Sequence, residues 1–316
     1  MTDVSGSLMT EHGRHLTFLD KTATWVSWAL AGAIFLTVGW LAMAPDDPLG
    51  AVSVLTRHGA WMMLLQAAGL AAVTAALAAV IAGRRLPEVG TLAAALGLAA
   101  VSLRGATAGS LLIEWADVAP VSQSSLPLQL ALEAIAWFTI IFLARGFSIG
   151  VGQWCFGDRG DRSVGVWHGP KDSMAEGLKH TLLAGGAALL TFKILSAGLS
   201  TRSVQHGQAC FVVAASVCIA LYLASWVVPV RSAVWSILSV PLLAVGGYVW
   251  ARFGPAPGGL PASVPASPFL RVLPIQYIAV GTAAAVAMFW YLVHPELRSA
   301  NPSHLSSPHA SPEGST

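Results

Sequence analysis

The sequence predicts an all-α fold: a polytopic membrane helical bundle of about eight transmembrane helices, built as a parallel four-plus-four internal repeat. Three observations predict it. Charged residues are 10 % of the 316 and apolar residues 55 %, with a mean hydropathy of +0.67. Soluble domains carry roughly 25 % charged residues. The apolar residues gather into runs of about 20, the length that crosses a hydrocarbon core of about 30 Å at about 1.5 Å per residue. Finally, one pattern occurs twice. His58-Gly59 is followed by two apolar runs, Arg104, and Leu126-Pro127-Leu128-Gln129. His206-Gly207 is followed by two more runs, Arg252, and Leu273-Pro274-Ile275-Gln276. The His-to-Arg spacing is 46 positions in both copies, and the Arg-to-Leu spacing is 22 and 21. The short alternating segments of a membrane barrel are absent.

In chain order, residues 1–23 are a polar N-terminal segment and 24–44 the first span. That run is longer than the h-region of about 7–15 residues in a cleaved signal peptide, so the Ala42-Met43-Ala44 cleavage-like triplet reads as part of an uncleaved span. Spans follow at 60–82, 88–106 and 127–147, closing a first membrane half at 24–147. The third is set by its echo: Arg252 precedes a Gly/Pro-rich stretch that cannot continue a helix, so Arg104 should end its own span at the same level. Residues 105–126 then form a loop, with Leu111-Leu112-Ile113 and Trp115 on the membrane surface or a neighbouring helix. Residues 148–177 read as a linker rich in glycine and mixed charge, with Trp154 and Trp167 as docking anchors. The second half, 178–296, carries spans at 178–199, 207–228, 232–252 and 273–293. Residues 297–316 are Ser/Pro/His-rich, a composition that does not bury a core.

Lys and Arg set the orientation. With the N-terminus inside, the inner segments hold 11 of them and the outer segments 4, leaving Arg104 and Lys193 aside. The positive-inside rule therefore predicts both termini in the cytoplasm, in a bacterial inner membrane. Trp25, Trp28, Trp226, Trp235, Trp290 and Tyr291 fall near inner ends, and Trp40, Trp61, Trp250 and Tyr248 near outer ends. That is the aromatic belt expected at headgroup level. Four spans per half give both copies the same orientation, related by a pseudo-two-fold axis along the membrane normal. Leu30-Ala31-Gly32 and Leu183-Ala184-Gly185 begin the two halves alike, and small residues of this kind allow close helix approach in lipid.

Several chemistries are excluded by motif. There is no GxxxxGK[ST] phosphate cradle, no HExxH, no GxSxG and no paired intramembrane aspartate. Cys155, Cys210 and Cys218 have no CxxC spacing and read as packing residues. A net charge of +2 without basic runs gives no nucleic-acid partner. What remains is a set of polar residues in or beside the spans. Glu133, Lys193, Gln129, Gln276, Arg104 and Arg252 are candidates to line a polar pocket between the halves, opening outward. A charge inside a span is costly unless it pairs or faces water, so Glu133 and Lys193 are expected to pair or to share a wet cavity. Gln129 and Gln276 are expected to bond carbonyls or to face each other. His58 and His206, one per half, are candidate haem ligands, since bis-imidazole sites use helices placed in this way.

These residues suggest a transporter or channel-like protein. The alternative is a non-catalytic membrane anchor or assembly subunit, quinone- or haem-linked, contacting other membrane subunits through 148–177. In topology alone the four-plus-four plan resembles the eight-span membrane subunits of the polysulfide-reductase type. That resemblance implies a quinol-binding anchor role; none of that family's sequence motifs is present.

Overall fold

The computed structural model describes residues 18–47, 50–83, 86, 88–112, 125–156, 173–197, 205–253 and 267–293. The Gly/Asp/Arg stretch of the linker, Ile113, Trp115, Ser122, Trp167 and the 297–316 tail lie outside the described residues. Helix α1 (Phe18–Ile34) runs on through a π-helical turn (Phe35–Gly39) into four further helical residues (Trp40–Met43). Then follow α2 (Ala60–Ala82), α3 (Val89–Ser102), α4 (Leu126–Phe156), α5 (Met174–Ser196), α6 (His206–Val227), α7 (Ala233–Phe253) and α8 (Pro274–Val293). All named elements are helical; among the described residues the sole strand-like pairing is an isolated bridge between Ala51 and Ala106.

Seven of these helices are long and apolar enough to cross a membrane, as expected of an integral membrane protein; α3, at 14 residues, is the shorter exception. The outward surface agrees. Leu41, Trp61, Leu132, Leu143, Leu190 and Phe211 are all more than half exposed, which for side chains of this kind suits lipid and not water.

Local sequence explains the helix ends. Gly59 has φ +83°, a left-handed conformation that a side chain disfavours, and it turns the chain into α2. The Ser173 side chain accepts from the Glu176 N–H at the start of α5, and Gln205 and Gln208 form a reciprocal cap on α6. Pro127 and Pro274 sit in first turns, where their missing N–H costs nothing.

Hydrogen bonds fix the direction of each helix. Arg145 in α4 bonds Glu88 at the start of α3, while Glu133, earlier in α4, bonds the loop after α1 at Ser53 and Val54. The far end of α3 meets that same loop, the Ala106 N–H donating to the Gly50 carbonyl at 2.9 Å. Helix α3 therefore runs antiparallel to α4 from the Arg145 level to beyond the Glu133 level. In the second half, early α5 meets the end of α6 through His180 and Val228, and the start of α7 through Thr181 and Trp235. Successive helices alternate in direction, giving the bundle a "His206 end" and an "Arg145 end".

Helices α1–α4 and α5–α8 form two groups whose packing is alike but for one contact: α2 packs on α3, whereas α6 and α7 barely meet. In the first, α1 packs on α2 and α3, and α4 packs on α2 and α3; in the second, α5 packs on α6 and α7, and α8 packs on α6 and α7. The halves meet where α4 and α8 touch each other, with α3 against α8 and α7 against α4. Helix α8 is the centre, its span 67 % buried against 28 % for α1. Small residues in α3 make the close approaches possible. A Cβ on Gly97 would run into the Phe35 ring of α1, and one on Gly90 into Ser148 of α4.

Two expectations change. The sequence places the third span at 88–106, but α3 ends at Ser102 and spans about 21 Å. It is short because 12 of its 14 residues are buried among other helices, so it does not itself meet the full thickness of lipid. Helix α4 continues to Phe156, about 46 Å in all, so the beginning of the 148–177 segment is helix and carries the exposed Trp154.

Candidate functional site

The polar side chains concentrate at the His206 end, on three structures. The first is built on Glu133, which faces inward and is 4 % exposed. One turn later the Trp137 Nε1–H donates to its Oε1 at 3.0 Å. The Ser53 hydroxyl donates to Oε2 at 2.6 Å and the Val54 N–H to Oε1 at 3.0 Å. Ser53 also caps the 3-10 turn Val54–Thr56 by accepting from the Leu55 N–H. All three partners of the carboxylate are donors. Glu133 thus holds the α1–α2 loop against α4 from inside the bundle, and satisfies the demand that a buried charge be hydrogen-bonded.

The second is built on His206, the first residue of α6. Its Nδ1 accepts from the Gln276 side-chain amide at 2.8 Å, and its Nε2–H donates to the Gly105 carbonyl at 2.8 Å. Gln276 accepts in turn from the Leu273 N–H at 3.3 Å. One neutral imidazole therefore ties the loop after α3, in the first half, to α6 and α8 in the second. Beside it, the buried Tyr248 and Tyr277 donate to the Val272 and Phe269 carbonyls. Phe192 stacks on Phe269 and tilts against Tyr277 at 5.1 and 5.4 Å between centroids.

The third is a rim of exposed cations. Arg104 stands 4.8 Å over the Trp40 ring and donates to the Leu36 carbonyl at 2.7 Å. Lys193 stands 4.7 Å over Trp250, and Arg252 lies 5.4 Å over Phe253. His58 is fully exposed and bonds Asp46 through both its backbone N–H and its ring, at 2.8 and 2.9 Å. The backbone N–H of His58, more than its ring, holds the Asp46 carboxyl below the usual range. Arg57 donates to the Ala42 carbonyl and tethers the same loop.

The residues proposed from the sequence are therefore not gathered into one pocket. The expected Glu133–Lys193 ion pair is not formed: Glu133 is engaged by Ser53, Val54 and Trp137, while Lys193 lies over Trp250 at the rim. Gln276 turns to His206 and Leu273, whereas the Gln129 Oε1 is buried without a partner among the described residues. His58 and His206 serve different ends, one in a surface clasp and one in an internal bolt. Both ring nitrogens of His206 have partners, so ligation of a haem iron there requires breaking a 2.8 Å bond. Among the described residues, no group of three or more His, Cys, Asp or Glu is placed to hold a metal ion.

Sequence reasoning missed the strongest polar contact. At the Arg145 end, Arg145 Nε and Nη2 donate to the two Glu88 oxygens at 2.9 and 2.6 Å, with both side chains 3–4 % exposed. The Thr91 hydroxyl donates to the same carboxylate at 3.2 Å. Arg145 counts in the sequence as one more inner cation, and Glu88 as the first residue of the 88–106 span; the antiparallel packing of α3 on α4 places them together. Fold and polar contacts define the class, an α-helical integral membrane protein. No protein-family model, curated protein or solved structure compared with the chain matches it.

Proposed function

We propose that this protein is a non-catalytic membrane subunit, an anchor or assembly scaffold, composed of two duplicated four-helix halves. One observation carries the reading. The three buried charged side chains among the described residues, Glu88, Glu133 and Arg145, are all engaged with internal partners that join helix to helix or loop to helix. A solute path needs polar groups that exchange partners with its cargo; here the embedded charges are held by donors of the fold itself. The cations left over, Arg104, Lys193 and Arg252, stand on rings at helix ends.

The duplication is supported by the like seating of α1 and α4 on α2 and α3 and of α5 and α8 on α6 and α7, and by the exchange symmetry of the seam. Swapping α3 with α7 and α4 with α8 leaves the pattern of contacts between halves unchanged. An eighth crossing is supported by α3 itself, which connects the Arg145 level to the loop that carries Gly50 and Ser53. The lysine and arginine distribution favours the His206 end outside and both termini in the cytoplasm. On that orientation α4 extends past the bilayer into the cytoplasm with Trp154 exposed, and offers the 148–177 segment to partner subunits.

The test is reconstitution of the full chain into liposomes. Proton, potassium and chloride fluxes are expected to match empty vesicles. Extraction of the native membrane in a mild detergent is expected to yield a stable assembly larger than the 32.8 kDa chain. Flux above the empty-vesicle level that Glu133→Gln abolishes would overturn the scaffold reading in favour of a transporter or channel.

A further inference from the structure

We propose that the protein carries two anionic-phospholipid sites at the His206 end, one over the α1–α3 seam at Arg104 and Trp40, the other over the α5–α7 seam at Lys193 and Trp250. Each site joins an exposed cation to a tryptophan at about 4.8 Å, and neither cation has a carboxylate partner among the described residues. Each is flanked by side chains that suit acyl chains. Leu36, Leu41 and Leu103 are exposed beside Arg104; Leu190 and Ile194 are exposed beside Lys193. A cation at the edge of an apolar surface and without a counter-ion favours a ligand that is anionic at its head and apolar below it. A glycerophospholipid with a net negative headgroup has that form, and the tryptophan belongs at the same interfacial level.

The guanidinium is oriented for such a ligand. Its Cζ stands over the Trp40 ring, and Nη1 donates to the Leu36 carbonyl. That carbonyl belongs to the π-helical turn Phe35–Gly39, which interrupts the regular bonding of α1. The guanidinium keeps further donors, and a guanidinium fork suits bidentate contact with phosphate.

Comparison of the two halves strengthens the assignment; this step rests on the duplication proposed above. Aligning Leu30-Ala31-Gly32 with Leu183-Ala184-Gly185 places Trp40 opposite Lys193. Aligning Arg104 with Arg252 places Ser102 opposite Trp250. The aromatic is on the first helix and the cation after the third in one half; in the other half the order is reversed. The pairing is kept while the cation and the aromatic exchange sides of the seam, so the cation-on-tryptophan arrangement is what the two halves share.

Native mass spectrometry of the full chain in mild detergent tests this. Titration is made with phosphatidylglycerol, and with phosphatidylcholine of the same acyl chains. Two phosphatidylglycerol molecules should be retained per chain, with affinity at least about tenfold above phosphatidylcholine, a difference of about 1.4 kcal/mol. Arg104→Gln and Lys193→Gln should each lose one lipid, and the double variant both. Lys179→Gln, a control cation near the other end of α5, should lose none. Equal retention of the two lipids would overturn the proposal, as would a double variant that binds like the wild type. Displacement by millimolar inorganic phosphate would overturn it in favour of a free-anion site. Should the double variant not fold, the wild type alone decides: phosphatidylglycerol must raise its thermal midpoint above that in phosphatidylcholine. Liposome flux reads the scaffold reading separately, because it does not depend on lipid retention.

Discussion

At the scale of single residues, the buried pair Glu88–Arg145 permits the cleanest measurement. Removing one partner leaves the other charged, desolvated and unpaired, which costs about 3–5 kcal/mol in buried pairs. Removing both leaves no orphan charge. Glu88→Gln and Arg145→Gln should each lower the thermal midpoint strongly, and the double variant should fall no further than the worse single one. A double-mutant cycle in detergent checks this, and strictly additive losses would show that the two side chains act independently. The pair was illegible in the sequence because its members are 57 positions apart and each falls near the end of a predicted span, where a charge can reach the interface without a partner. Glu133 was legible as unusual, since a lone carboxylate in a span demands partners. Its partners were not, because Ser53 and Trp137 carry no charge and Val54 contributes only its backbone. His206 was legible as half of a repeated pair, yet the structure gives it no likeness to His58. A histidine before glycine marks a helix start in both copies. What the ring then bonds is set by neighbours from α3 and α8, and those neighbours differ from the ones around α2.

At the scale of elements, span positions were readable to within a few residues, because a run of about 20 apolar residues has few other fates. The short α3 has a packing cause. Helix α3 is jacketed by α1, α2, α4 and α8, so its length answers to protein neighbours and not to lipid thickness. The π-helical turn in α1 gives no sequence signal either. It lies where Phe35 is wholly buried against the bare backbone of Gly97. Gly97→Val should displace the Phe35 ring, because no space exists for the added carbons. Overpacking of this kind costs about 1–3 kcal/mol. Paired with Phe35→Ala, which opens the space, Gly97→Val should cost less than it does alone. Thermal unfolding of the two single variants and the double decides it, and a Gly97→Val variant as stable as the wild type would remove Phe35 as the reason for the glycine.

At the scale of the whole molecule, the His, Arg and Gln pattern was readable as spacing, and the structure adds a seating of helices that spacing does not contain. Each half closes on itself, with α1 and α4 both seated on α2 and α3, and α5 and α8 both seated on α6 and α7. Between the halves the contacts are few in kind: α4 with α8, and the exchanged contacts of α3 with α8 and α7 with α4. At the His206 end the bond from His206 to the Gly105 carbonyl crosses from one half to the other near that seam. Such an assembly should tolerate a break in its covalent connection. The chain joins the halves only through the segment between Phe156 and Ser173, so cutting the gene there leaves every named helix intact. Two fragments expressed together should insert separately and copurify as one complex. His206→Ala should weaken that association more than it weakens the uncut protein, because the linker no longer holds the halves at high effective concentration. Recovery of the two fragments as separate species at all concentrations would show that the contacts of α4 with α8, α3 with α8 and α7 with α4 do not hold the halves together without the covalent connection.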